Sequence, residues 1–312
     1  MSLSLTGRFV RACIRMRHGI GVDVGGTFIK LVAVTPDGRV IDRARVPTDT
    51  SSADALPAAI RQALDVFAQS HGPASTVGLA SPGLVRRGTD RVHWMQGRVD
   101  IVEGLDWTEA LHSSPTVRVV NDAQAALLGE VWLGAGRGCD DVVLLTVGTG
   151  VGGAILAEGR LLSGSTGRAG HLGHTTVDAT GPGDIVGTPG SLEDAIGDCT
   201  VARRSGGRFA STEALVAAHL DGDAEATQVW ETSVRCLAAG IASIVNAVDP
   251  ARVILGGGIA TRAGDTLMVP LRRWLDDFEW RPHGACVEVT LAQLGDEAGA
   301  IGAARHAMDR DA

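Results

Sequence analysis

Residues 142–174 hold the densest concentration of chemically useful groups in the chain. An apolar, largely β-branched run from 142 to 147 reads as a buried strand. The cluster Gly148-Thr149-Gly150-Val151-Gly152-Gly153 follows, then a second strand over about 154–157, a turn at Glu158-Gly159-Arg160, and the segment His171-Leu172-Gly173-His174. The cluster fits G-x-G-x-x-G, but a dinucleotide site needs a helix after the glycines, and AILAEGRLL reads as strand, turn and strand. What remains is a glycine turn between two strands, whose N–H groups stay open to an anion because no side chain covers them. Residues 19–34 repeat the device, with Gly25-Gly26-Thr27 between two apolar strands, and place Asp23 inside the first of them. A carboxylate there is costly unless it is paired or lies near a cation, and a phosphate-bound Mg²⁺ is such a cation. The other reading is a strand-end aspartate capping its own turn. Asn121-Asp122 ends a strand over 116–120 and precedes a helix over 123–133. An aspartate so placed is held rigidly beside a helix N-terminus and faces a crevice, a position that equally favours a plain N-cap.

The elements around these residues follow from their patterning. Two similar hairpins far apart in the chain predict two similar lobes facing each other across a cleft. Pro36-Asp37-Gly38 has type I turn chemistry and leads to a strand over 40–46. Leu56, Ile60, Ala63, Leu64 and Phe67 share one face of a helix over 54–69, with Pro57 in its first turn. A strand over 77–80 ends at Ser81-Pro82-Gly83. A long helix over 224–248 stops at Asp249-Pro250. A strand over 253–255 runs into Gly256-Gly257-Gly258, and residues 298–308 form an amphipathic last helix.

At 312 residues and 45% hydrophobic, the chain can bury a large core, with two domains as the natural division. A net charge of −8 argues against a nucleic-acid surface, and no apolar stretch approaches the ~20 residues of a membrane span. Cys13, Cys139, Cys199, Cys236 and Cys286 are scattered without C-x-x-C spacing, which suits a reducing cytoplasm. Lys30 is the one lysine; exposed strand lysine is the ordinary case, but this one directly follows the first glycine turn. Residues 1–15 lack the apolar core and cleavage site of a secretory signal and read as an appended tail.

In order, DVGGTFIK, NDAQAALLGE, LTVGTGVGGAIL, AGHLGH and VILGGGIA resemble the motifs of the ROK sugar kinases, members of the actin-like (ribonuclease H-like) ATPase superfamily, over about residues 18–308. The resemblance implies an α/β, two-lobed actin-like fold with a cleft between a small lobe, 16–121, and a large lobe, 122–297, with 298–312 returning to the small one. It implies ATP-dependent phosphorylation of a hexose hydroxyl, O6 by expectation, with Asp122 as general base. Asp23 would hold Mg²⁺ through water. Gly25, Gly26, Thr27, Lys30, Gly148, Thr149, Gly150, Gly257 and Gly258 would bind ATP, and Gly83, Asn121, His171, His174 and Glu193 the sugar. The chain departs from the family in three places. His171 stands where a glutamate is usual, and the asparagine usual near residue 96 is not identifiable. Gln96 and Arg98 are the polar candidates there, in what otherwise reads as a surface loop. The cysteines that hold a structural zinc with the equivalent of His174 are missing, so no zinc is expected, since one histidine without thiolates cannot form such a site. An N-acylhexosamine kinase and a non-catalytic sugar sensor are the alternatives. Repressors of the family carry a DNA-binding helix-turn-helix ahead of the sugar-binding part, and 15 residues cannot hold one. The partners expected are a sugar and a second copy of the chain, with no nucleic acid and no membrane.

Overall fold

The computed structural model describes residues 17–96 and 99–311, so the tail over 1–15 and Arg98 lie outside the described residues. The first half runs β1 (Gly19–Val24), β2 (Phe28–Val34), β3 (Val40–Pro47), α1 (Ala55–His71), β4 (Thr76–Ser81), β5 (Leu84–Val85), β6 (Val92–Trp94), α2 (Trp107–Ala110), β7 (Val117–Asn121) and α3 (Asp122–Leu133). The second runs β8 (Val142–Val147), β9 (Val151–Ala157), β10 (Arg160–Leu161), α4 (Leu192–Ile196), α5 (Val201–Arg204), α6 (Thr212–Leu220), α7 (Ala224–Val248), β11 (Arg252–Gly256), α8 (Gly257–Ala263), α9 (Asp265–Phe278), β12 (Glu288–Leu291) and α10 (Ala298–Arg310).

The two similar halves are visible in the strand orders. One five-stranded sheet runs β3-β2-β1-β4-β7 and the other β10-β9-β8-β11-β12, each a three-stranded antiparallel meander extended by two parallel strands. A short β5–β6 hairpin stands apart. Period-two alternation decides what each face of β1 meets. Ile20, Val22 and Val24 are buried with Ile60 and Phe67 of α1 in one core. Gly19, Gly21 and Asp23 line the other face, along α10.

That second face is packed at backbone distance. A Cβ on Gly21 would lie 1.8 Å from the Ala300 carbonyl oxygen, and one on Gly78 of β4 would lie 1.8 Å from that of Ala303. The same holds between helices: a Cβ on Gly302 of α10 would lie 1.7 Å from the Ala125 oxygen of α3, and one on Gly129 of α3 would lie 2.4 Å from the Ala298 oxygen. Helix α10 therefore rests on β1, β4 and α3 with no side chain between. Glu130, fully buried at the far end of α3, ties the approach to α10. Its carboxylate accepts the N–H groups of Ala135 (2.7 Å), Gln293 (2.9 Å) and Leu294 (2.8 Å), which satisfies a charge that would be expensive in isolation.

Two boundaries differ from the sequence reading. The second glycine turn is shorter than expected, because β9 already starts at Val151. Gly152 and Gly153 sit inside the strand, where their lack of a side chain admits neighbours: a Cβ would lie 2.6 Å from Thr146 Oγ1 and 2.8 Å from the Gly170 oxygen, respectively. Gly257 and Gly258, which simply follow a strand in the sequence pattern, are helical. They open α8, Gly257 with φ +85° and its Cα pressed on Val147. Among the described residues no helix is long and apolar enough to cross a membrane.

Since the α3–α10 contact leaves no room for a methyl, Gly302→Ala should lower folding stability by about 3 kcal/mol or more, the upper range for overpacking against backbone. Urea unfolding measures it, and a loss below about 1 kcal/mol would mean that the helices separate easily.

Candidate active site

The first glycine turn closes through the Gly25 N–H donating to the Phe28 oxygen, and Thr48 braces it with Oγ1 donating to the Gly25 oxygen at 2.7 Å. Gly26 and Thr27 are solvent-accessible, and no atom lies within 4 Å of the place a Gly26 side chain would take. Two residues before the turn, Asp23 abuts the first turn of α10, where a Cβ on Gly299 would lie 2.8 Å from its carboxyl carbon. Burial and then the charge of Asp122 raise the Asp23 pKa to about 7, with Asp296 adding to the rise and Lys30 opposing it. Lys30 stands opposite Asp23 in the β1–β2 register and places its ammonium 3.5 Å from Asp296. The mouth of this lobe thus holds more carboxylate than its single lysine neutralises.

Asp122 is the first residue of α3, and Asn121 is its N-cap. Asn121 Oδ1 accepts the N–H groups of Ala123 (3.0 Å) and Gln124 (3.2 Å), while Nδ2 donates to the Gly83 oxygen at 3.0 Å. The side chain expected to orient a sugar is therefore engaged three times with the protein. It fixes both the Asp122 backbone and the Pro82-Gly83 turn, where Gly83 has φ +96° and leaves no room for a side chain against the Trp94 oxygen. Asp122 is exposed to solvent, yet its carboxylate loses part of its hydration to the protein around it. The lost hydration pushes its pKa above the usual carboxylate range, and the Ala123 N–H, 2.8 Å from Oδ1, together with Asn121, draws it partly back.

The second hairpin gathers the remaining groups. Ala123 lies beside Gly152 of β9, which brings the start of α3 to this strand. The turn carrying the two histidines lies on the same strand, Gly173 against the Val151 oxygen and the Gly170 oxygen against Gly153. Glu193, second residue of α4, reaches the end of the glycine turn and accepts the Val151 N–H at 2.9 Å. Gly150 is what makes room for that carboxylate, since a Cβ there would lie 2.2 Å from Glu193 Oε2. His171 is half-buried; burial, with His174 nearby, lowers its pKa, so the ring is neutral near pH 7. His174 Nδ1 lies 2.8 Å from Oδ2 of Asp184, a residue absent from the sequence reading.

The ROK family model matches residues 19–310, nearly the whole chain. The chain belongs to the ROK family. The glucokinase of Thermotoga maritima is 34% identical over 313 residues, covering 93% of this chain and 97% of that one. The N-acetylmannosamine kinase of Escherichia coli is 32% identical over 295 residues, covering 91% and 96%. Among solved structures, a ROK glucokinase from Streptomyces griseus in complex with glucose and AMPPNP superposes with a TM-score of 0.76 at 30% identity, covering 94% of this chain and 99% of that one. The two sheets of equal strand order are the lobes of the actin-like ATPase fold.

Beyond the ROK motifs, this member has a cavity of about 620 Å³ between the second glycine turn and helices α6 and α8. Gly148, Thr149 and Gly258 line it, together with Asp198, Glu213 and Arg262, which motif reading did not single out. Gly257 lies behind the wall, and Gly150 faces Glu193 instead. Asp198 accepts the Thr212 N–H at 2.6 Å and donates its own N–H to the Gly148 oxygen, joining α6 to the glycine turn. The signal that could have revealed this wall is Ser211-Thr212-Glu213, an N-cap followed by first-turn polar residues. No comparable signal marks Asp296 or Asp184. Gln96 is exposed. Among the described residues no group of three or more His, Cys, Asp or Glu is placed to hold a metal ion.

Gly150 offers a clean separation of folding from function. In Gly150→Ala the new methyl meets the flexible end of Glu193, so stability should change by less than about 1 kcal/mol. Glu193 must leave the Val151 N–H, however, and kcat/KM should fall at least about tenfold. A variant with unaltered kinetics would separate this contact from catalysis.

Proposed function

We propose that this protein transfers the γ-phosphoryl group of ATP to a hexose hydroxyl, O6 by preference, with Asp122 as general base. The observation that carries the reading is the placement of Asp122. It stands at the rigidly capped start of α3, exposed to solvent, with a raised pKa, beside the strand that follows the second glycine turn and within electrostatic reach of Asp23 at the first. A carboxylate whose pKa is raised is a stronger base and accepts a proton more effectively. Asp122 takes the hydroxyl proton, the sugar oxygen bonds to the γ-phosphorus, and the bond to the ADP oxygen breaks.

Phosphoryl transfer asks the protein mainly for position and charge neutralisation. The turns Gly25-Gly26-Thr27 and Gly148-Thr149-Gly150 would serve the phosphates, with Lys30 as a point charge on the small-lobe side. The cavity beyond Gly258, about 620 Å³, suits the nucleoside in size and position. Asp23 would hold Mg²⁺ through water, the negative charge of Asp122 and Asp296 around it favouring a cation; when bound, this ion neutralises phosphate charge. His171, His174 and Glu193 would face the sugar, and Asn121 would act through the cap and through Gly83. The lobes divide at Asn121-Asp122, with α10 returning to the first sheet. A homodimer in a reducing cytoplasm belongs to the same reading, in keeping with four described cysteines that are all free.

A second acceptor class is favoured by one observation. His171 is neutral and partly buried where a permanently anionic glutamate is usual in the family. A neutral imidazole offers one donor and one acceptor, so an N-acylated hexosamine is as reasonable an acceptor as glucose, and the N-acetylmannosamine kinase relative points the same way.

ADP release with a panel of sugars, ATP and Mg²⁺ tests the reading. Asp122→Asn should retain the fold and nucleotide binding while kcat falls by about 10²–10⁴-fold; near-native turnover would remove Asp122 from the mechanism. His171→Glu should shift the ratio of kcat/KM between glucose and its C2 variants, mannose and N-acetylglucosamine, several-fold, the worth of one hydrogen bond of about 0.5–1.5 kcal/mol. Unchanged ratios would make His171 a loop residue only.

A further inference from the structure

The segment between the two histidines and α4, residues 175–190, is rich in glycine and proline, and a single buried carboxylate organises it. The Asp184 side chain has no solvent exposure, while that of His174 keeps 34% of its surface open. Oδ1 of Asp184 accepts the N–H groups of Val186 (2.9 Å) and Thr188 (2.8 Å), and Oδ2 lies 2.8 Å from His174 Nδ1. The Ser191 hydroxyl also bonds to Asp184, and Ser191 is the fully buried N-cap of α4, the helix that carries Glu193. One carboxylate thus touches both the imidazole and the cap of the glutamate's helix.

From this arrangement we infer that Asp184 is the positioning residue of the sugar end of the site, fixing His174 as its Nδ1–H tautomer with Nε2 turned to accept a hydrogen bond from a sugar hydroxyl. The chemistry follows from donor counting. An ionised carboxylate only accepts, and Asp184 faces N–H or O–H groups on every side, so Nδ1 must carry the proton. Burial alone would raise the Asp184 pKa, but the hydrogen bonds from His174 and from the Thr188 and Val186 N–H groups win and hold it below the usual carboxylate range. In neutral His174 the lone pair is then at Nε2, and the ring cannot rotate without breaking the 2.8 Å contact. The sugar hydroxyl that meets it must donate. The role of Nε2 toward a sugar rests on the kinase reading above; the tautomer does not.

Asp184→Asn is the discriminating change because it is isosteric and inverts the donor pattern. The amide oxygen of the substituted side chain must take the Val186 and Thr188 N–H groups, which leaves its NH₂ facing Nδ1 and drives the proton to Nε2. Nitrogen-15 NMR of histidine-labelled protein, without sugar or ATP and above the imidazole titration range, reads the tautomer directly, with His174 assigned by its loss in His174→Asn. Wild type should show the Nδ1–H form and Asp184→Asn the Nε2–H form. In steady-state assays the variant should raise KM for the sugar at least about tenfold, with KM for ATP moving less than about threefold. Wild-type His174 in the Nε2–H form would overturn the inference, even if the variant failed to fold. A switched tautomer with sugar KM unchanged would overturn the positioning role. Wild-type protein that phosphorylates no sugar would instead refute the kinase reading and leave the tautomer result standing.

Discussion

Helix α10 lies against β1, β4 and α3 with backbone touching backbone, and the rest of the molecule is arranged around that contact. Gly21, Gly78, Gly129 and Gly302 each occupy a place where a methyl group would lie within 2.4 Å of a carbonyl oxygen. Close packing of this kind leaves little freedom for relative movement, because a dense interior has no slack to absorb a shift. Its consequence for the site is direct. Asp23 continues the Gly19-Gly21 row of β1, so the strand that supports α10 delivers its carboxylate to the first turn of that helix. Asp122 opens α3, the helix that α10 crosses. Both carboxylates are thereby positioned by one rigid unit.

Charge at the cleft mouth is left uncompensated in this arrangement. The carboxylate of Glu130 accepts three backbone N–H groups and is settled within the fold. The raised pKa of Asp23, by contrast, reports lost hydration together with repulsion from Asp122 and Asp296. Lost hydration raises the Asp122 pKa as well, and its own helix start draws it partly back. A polar group that the fold leaves unsatisfied is where a cationic or proton-donating ligand gains most. The glycine turns are complementary, since backbone N–H groups at a turn without bulky side chains suit an anion.

At the opposite end the constraint is orientation of neutral and acidic side chains in a loop with little regular structure. Segment 175–190 has no core of its own, and its order comes from hydrogen bonds: the Val177 and Asp178 N–H groups to the Gly190 oxygen, Gly190 to Pro182, and the cluster on Asp184. A single buried acceptor there replaces what a larger hydrophobic contact would otherwise supply.

Much of this was legible in the residues. The strand-turn-strand patterns at 19–34 and 142–157, the helix expected at 54–69 and found as Ala55–His71, the helix at 224–248, and the Asn121-Asp122 junction follow from local periodicity and turn chemistry, which depend on neighbours in sequence. The ordered motifs carried the family resemblance and with it the two-lobed fold. Tertiary structure alone decided the rest. That Asn121 would be engaged as a cap and with Gly83 depends on a residue 38 positions away. That Gly152 and Gly153 would lie inside a strand depends on Thr146 and the Gly170 carbonyl pressing against them. Asp184 drew no notice in its glycine-proline stretch, because the partner that gives it meaning, His174, is set opposite it only when the loop folds back on α4. Hydrogen bonds of this kind have no periodicity, and so leave no pattern in the chain to read.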